Sequence, residues 1–85
     1  MNQDCFMPGN PLETGDRTIK YGLKTIEDCM MLCLTSSKCL LIEYNEEQQK
    51  CVLLEQDLNE IDVKNSVASK YASKSCITQS WYKNQ

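Results

Sequence analysis

Thr25-Ile26-Glu27-Asp28-Cys29-Met30-Met31-Leu32-Cys33, then Cys39-Leu40-Leu41-Ile42-Glu43-Tyr44, then Cys51-Val52-Leu53-Leu54, decides the fold of this chain. The first segment reads as a helix running from Thr25 to about Thr35. Thr25 is a good N-cap type, and Asp28 stands three residues on, a variant of the capping box. Glu27 and Asp28 also sit at the positive end of the helix dipole. Ile26, Cys29, Met30 and Cys33 recur at i, i+3, i+4 and i+7, which makes one buried stripe. Ser36-Ser37-Lys38 ends the helix. The next two segments read as a hairpin joined by the polar turn Asn45-Glu46-Glu47-Gln48-Gln49. Both strands are apolar on both faces, as suits central strands of a covered sheet. The helix is one cover.

Working outward, Arg17-Thr18-Ile19-Lys20-Tyr21 alternates polar and apolar and reads as a strand. Cys5-Phe6-Met7 reads as a short one. Between them, residues 8–16 are rich in turn formers and read as a loop. Residues 56–69 are polar, with Leu58, Ile61, Val63 and Val67 scattered through them, and read as a long loop with one edge strand. Lys70-Tyr71-Ala72-Ser73-Lys74-Ser75-Cys76 reads as a return into the sheet. There is no internal repeat.

A chain of 85 residues is one domain with a small core. Its mean hydropathy is −0.48, so the core alone gives little stability. Six cysteines supply what is missing. An even count in a short chain reads as a disulfide framework formed in an oxidising compartment. Spacing alone does not choose the pairing. Two cysteines on one helix face rarely bond each other, so each should reach a strand. Cys33 then meets Cys39 after one reversal, Cys29 reaches Cys51, and Cys5 and Cys76 close the ends. A zinc site is the rival reading, but the chain has no histidine and no paired C-x2-C knuckle.

The segment from Thr25 to Leu54 resembles the PAN/apple module. That family shows a T-x-E-x-C-x3-C helix, here Thr25, Glu27, Cys29 and Cys33. A strand of the form C-x2-[FI]-x-Y-N follows, here Cys39, Ile42, Tyr44 and Asn45, then C-x-L, here Cys51 and Leu53. Cys5 and Cys76 match the outer bridge of the apple type. The resemblance implies a small disulfide-rich α+β domain, with a five-stranded antiparallel sheet and one helix packed on it. It implies the nested pairing Cys5–Cys76, Cys29–Cys51 and Cys33–Cys39. It also implies a role in binding proteins or carbohydrates, as in clotting zymogens and in adhesins of apicomplexan parasites.

Catalytic chemistry finds no candidates. Without histidine there is no Ser-His or Cys-His pair, and bridged cysteines offer no thiolate. No enzyme activity, cofactor or metal is expected. Asp57-x-Asn59-Glu60-x-Asp62 invites a calcium reading, but an EF-hand needs glycine where Asp62 stands, so it reads as a solvated acidic loop. Net charge is −3 and weighs against nucleic acid. The charges are uneven. All twelve acids lie within residues 1–62 beside five bases, whereas Lys64, Lys70, Lys74 and Lys83 follow with no acid. Lys64, Lys70 and Lys74, joined by Arg17, Lys20 and Lys24, are candidates for a sulfated-glycan patch, although edge lysines also discourage aggregation. Trp81 and Tyr82, past the last cysteine, are candidates for a ligand contact. Tyr44 and the Met30-Met31 pair read as packing.

The sequence therefore predicts a non-catalytic extracellular adhesion module that binds a protein receptor or a sibling domain. The alternatives are a carbohydrate-binding domain and a secreted antagonist of a host receptor or coagulation protein. No stretch is long and apolar enough for membrane insertion. Residues 5–76 are expected to form the core, with 77–85 an extension or linker. Polar residues after Met1 do not form a signal peptide, which suggests a module cut from a larger secreted or cell-surface protein, a secretory organelle such as a parasite microneme included.

Overall fold

The computed structural model describes residues 5–12 and 15–83, with side chains to residue 79. Five strands form one antiparallel sheet. They are β1 (Met7–Pro8), β3 (Arg17–Tyr21), β4 (Leu41–Asn45), β5 (Lys50–Leu54) and β7 (Ser69–Ser73), in the order β1-β7-β4-β5-β3. The short β2 (Asn10–Pro11) and β6 (Val63–Lys64) pair separately as a two-stranded ribbon. Helix α1 (Ile26–Leu34) lies between β3 and β4 in the chain, and α2 (Lys74–Lys83) follows β7. The antiparallel sheet with a helix packed on it is the architecture that the sequence predicts.

Helix α1 starts where the residue types require. Thr25 is extended, and its hydroxyl accepts from the Asp28 amide at 3.2 Å. That satisfies one of the donors a helix start leaves unpaired. At the other end the Thr35 hydroxyl donates to the Met31 carbonyl at 2.9 Å. Cys29, Met30 and Cys33 are fully buried, and Ile26 packs beside them. Met31, one position off the stripe, is exposed.

The hairpin β4–β5 is the centre of the sheet, with Leu41 opposite Leu54 and Tyr44 opposite Cys51. Its two faces carry two cores. On the helix side Ile42, Tyr44, Cys51 and Ala72 pack with Cys29, Met30, Cys33, Cys39 and Ile77. On the other side Leu41, Val52, Leu54 and Tyr71 pack with Leu58 and Ile61. The polar stretch after β5 is thus the second cover. It holds its shape by a short 3-10 helix, Leu58–Glu60, with a reciprocal capping box between Asp57 and Glu60. The Asp57 carboxylate accepts from the Leu58 amide at 2.7 Å, and the Glu60 carboxylate accepts from the Asp57 amide at 3.3 Å. These acids serve the turn. Among the described residues no group of three or more His, Cys, Asp or Glu is placed to hold a metal ion.

Glu43 is a charged residue in the middle strand and only 3% exposed. Burying a carboxylate requires hydrogen-bond partners. With its amide nitrogen turned inward, Asn10 donates to Glu43 Oε1 at 3.1 Å. The β2–β6 ribbon therefore supplies a polar contact as well as cover. Gly9 makes the close approach possible. Its φ is +152°, and a Cβ there would lie 2.7 Å from Val63 Cγ1 and 2.8 Å from Tyr71 Cε1.

Three disulfides join Cys5 to Cys76, Cys29 to Cys51 and Cys33 to Cys39. Among the described residues no cysteine is free. In the chain-entropy account, loops of 71, 22 and 6 residues stabilise by about 4, 3 and 2 kcal/mol.

The chain after β7 differs from the sequence reading, as does Asn10–Pro11, which pairs as a strand inside the stretch read as a loop. The return strand stops at Ser73, and Lys74 begins α2, so Cys76 is bridged from a helix rather than a strand. The backbone beyond Cys76 is helical to Lys83, and Ile77 is fully buried in the helix-side core. Helix α2 thus carries on past Cys76, in a stretch where the sequence shows no helix. The physical cause is local: Cys76 and Ile77 tie the first turn of α2 down.

Candidate functional site

At the N-terminal end of α1, side chains surround an open cavity. Four separate segments meet there. The approach to the helix and its first turn supply Lys24, Thr25, Ile26 and Glu27, and the middle strand supplies Tyr44. The β4–β5 turn supplies Glu46 and Glu47, and the run into β7 supplies Val67, Ala68 and Lys70. The cavity is about 360 Å³, near the lower end of the range for small-ligand pockets.

Each wall has a local cause. Tyr44 faces the helix side because β4 alternates, and its hydroxyl donates to the Leu23 carbonyl at 2.6 Å. That bond ties the approach to α1 onto the sheet. Burial of the hydroxyl, then the charges of Glu46, Asp28 and Glu27, raise the Tyr44 pKa above its ordinary value of 10.0. The tyrosine is a neutral hydrogen-bonding floor at any physiological pH. The turn beneath it is built by the Asn45 side chain, which accepts from the Gln48 amide at 3.1 Å. Gln49 then takes a left-handed φ of 50° to re-enter β5. Opposite, the Ser66 hydroxyl accepts from the amides of Ala68 and Ser69 at 3.2 Å, which folds the loop and presents Val67 fully to solvent.

The charges of the cavity are mixed: Lys24 and Lys70 against Glu27, Glu46 and Glu47. Such a lining offers donors and acceptors together. It can bind hydroxyl-rich or peptide surfaces, and it holds no nucleophile paired to a base.

Of the six cations singled out in the sequence, the cavity brings together Lys24 and Lys70. Lys20 lies on β3 opposite Cys51, on the same sheet face as Tyr44. Arg17 lies opposite Leu54, and so on the other face. Lys64 lies on β6, in the ribbon. The Lys74 ammonium donates to the Ser36 carbonyl, just past the end of α1, where a cation also suits the helix dipole. The side chains of Trp81 and Tyr82 lie outside the described residues. Glu27, Glu46, Glu47, Val67 and Ala68 were not singled out by the sequence. The acids read there as a turn and a helix start, and no periodicity joins segments so far apart in the chain.

A family model described as PAN domain matches residues 6–76. No curated protein and no solved structure matches the chain. Among the described residues no helix is long and apolar enough to cross a membrane.

Proposed function

The chain belongs to the PAN domain family, whose members are protein- and carbohydrate-interaction modules and in general not catalysts, and from that footing we propose that it is an extracellular adhesion module. It engages a protein partner through the cavity at the start of α1. The observation that carries this reading is the cavity's composition. Two lysines and three glutamates line the same cavity as Val67, a side chain that is fully solvent-exposed. An exposed apolar side chain in a lining of both charge signs suits a complementary protein surface, because the apolar group supplies burial and the charges supply register. The disulfides support an oxidising, extracellular setting.

The test is binding of the labelled domain to cultured cells with and without prior protease treatment. Loss of binding after protease treatment, and for the Val67→Arg and Lys70→Glu variants, is the expected result. Unchanged binding by both variants would remove the cavity from the reading.

The second reading is a carbohydrate ligand, and the same charges narrow it. The six candidate patch cations are spread over both sheet faces, the ribbon and the end of α1, and the cavity holds more acids than bases. A polyanion such as a sulfated glycan fits that lining poorly, whereas a neutral sugar, bound through hydroxyls, fits it well. Titration of neutral monosaccharides by NMR separates the readings. Amide shifts at Val67, Ala68 and Lys70 that saturate with one sugar favour carbohydrate.

A further inference from the structure

The three disulfides differ in depth. Cys29, Cys33 and Cys51 are fully buried and Cys39 is 2% exposed, so two of the bridges sit inside the helix-side core. Cys5 and Cys76 are both partly exposed, and Cys5 packs against that core from outside its buried set. Thiol–disulfide exchange requires a thiolate to reach a sulfur, so access limits it. A reductant reaches the outer bridge in the folded chain, whereas the inner two wait for the core to open.

The segments that the outer bridge joins are weakly held otherwise. Strand β1 makes two residue pairs with β7, and one of them is at Pro8, which has no amide to donate. Helix α2 is ten residues long, too short to be stable alone, and Ser75, Thr78 and Gln79 give it no apolar stripe. Beyond the bridge it is tied by Ile77 in the core and by Lys74, which donates to the Ser36 and Leu40 carbonyls. Helix α1 and the β4–β5 hairpin keep two buried bridges of their own.

The local structure also sets the direction of attack. Cys76 is the third residue of α2, and its amide donates to the Ser73 hydroxyl at 3.3 Å, an N-terminal cap. A thiolate leaving at Cys76 meets the positive end of the helix dipole, with no acid in the first turn to oppose it. Cys5 lies in a turn, outside any helix. Cys76 is therefore the better leaving group, and Cys5 is the sulfur attacked.

We propose that the Cys5–Cys76 bridge is a redox switch, opened by a protein dithiol of the oxidoreductase class through attack on Cys5, which releases α2 and β1 while α1 stays locked on the sheet. One thiolate of the dithiol bonds to the Cys5 sulfur, the Cys5–Cys76 bond breaks, and Cys76 leaves as a thiolate and takes up a proton. The second thiol of the dithiol then attacks the mixed disulfide, and Cys5 leaves as a thiol. Two electrons and two protons pass to the domain, and the dithiol becomes a disulfide. The switch uses no residue of the cavity, so it stands or falls independently of the adhesion reading.

Reduction of the native protein with limiting dithiothreitol, followed by alkylation and mass spectrometry, reads the order of opening. A species carrying two labels, mapped to Cys5 and Cys76, should accumulate before any species with more. Hydrogen exchange on that species should show protection lost in α2 and β1 and kept in α1, β4 and β5. A thioredoxin-type dithiol whose resolving cysteine is replaced by serine should be trapped on Cys5. Opening of all three bridges together, first labels on another pair, or full protection of α2 in the two-label species overturns the proposal. Trapping on Cys76 overturns it equally.

Discussion

The two faces of the central sheet reach the same burial by different means. On the helix face Cys29, Cys33, Cys39 and Cys51 are part of the core itself, so α1 is attached to β5 and to the start of β4 by covalent bonds. On the opposite face Leu41, Val52, Leu54 and Tyr71 are covered by Leu58 and Ile61 with no sulfur among them. The cover there is placed by a capping box, by the Asn10–Glu43 contact and by the close fit of Gly9. One face constrains the unfolded chain, and the other depends on shape in the folded one. Small domains need the first kind of constraint because their burial alone barely exceeds the entropy lost on folding.

Removing the constraint should cost most. Replacing Cys5 and Cys76 together by alanine opens the 71-residue loop and should lower unfolding free energy by about 4 kcal/mol, measured in urea. If the loss is no larger than that of a single methyl deletion, the distinction between the faces fails. On the face without bridges, Leu54→Ala should cost about 3 kcal/mol, because Leu54 is fully buried. The same change should leave all three disulfides formed by intact mass. Gly9→Ala should cost about 2 kcal/mol, since the new methyl group meets Val63 and Tyr71 and the backbone is strained. Hydrogen exchange should show the loss concentrated in the β2–β6 ribbon and β7, with α1 still protected.

Tyr44→Phe belongs to the helix face and should cost about 1 kcal/mol, the worth of its bond to Leu23. Its sharper signature is in pH. A folded pKa raised above the unfolded value of 10.0 means that the native state holds the proton more tightly. That stability is complete below pH 10 and is lost as pH rises through the folded pKa. Unfolding curves should therefore weaken above pH 10 in the wild type, and less so in Tyr44→Phe.

The helix face was legible from the sequence because its signals are local. Thr25 and Asp28 mark the helix start, the i, i+3, i+4, i+7 stripe marks its buried side, and the apolar runs flanking a polar turn mark the hairpin. The other face was not, because its cover is polar in composition. Leu58 and Ile61 carry no period, and Asn10-Pro11 looks like turn chemistry until Val63 and Lys64 come to pair with it. Helix α2 has the same difficulty. Ser75, Thr78, Gln79 and Ser80 show no apolar stripe, so Ile77 gives little warning of its burial. The cavity was half-visible. Lys24 and Lys70 stood out as charges, but only tertiary structure brings them beside Glu46 and Val67.

The bond between Cys5 and Cys76 also has a mechanical meaning. It brings two points 71 residues apart to a Cα separation of 5.9 Å. Tension applied to the chain on either side of these residues passes through the sulfur link and bypasses everything between them. The strands and α1 carry no load and stay in place when the polypeptide is pulled, until a reductant cuts that one link, whereas the part of α2 beyond Cys76 lies outside the link and bears the pull.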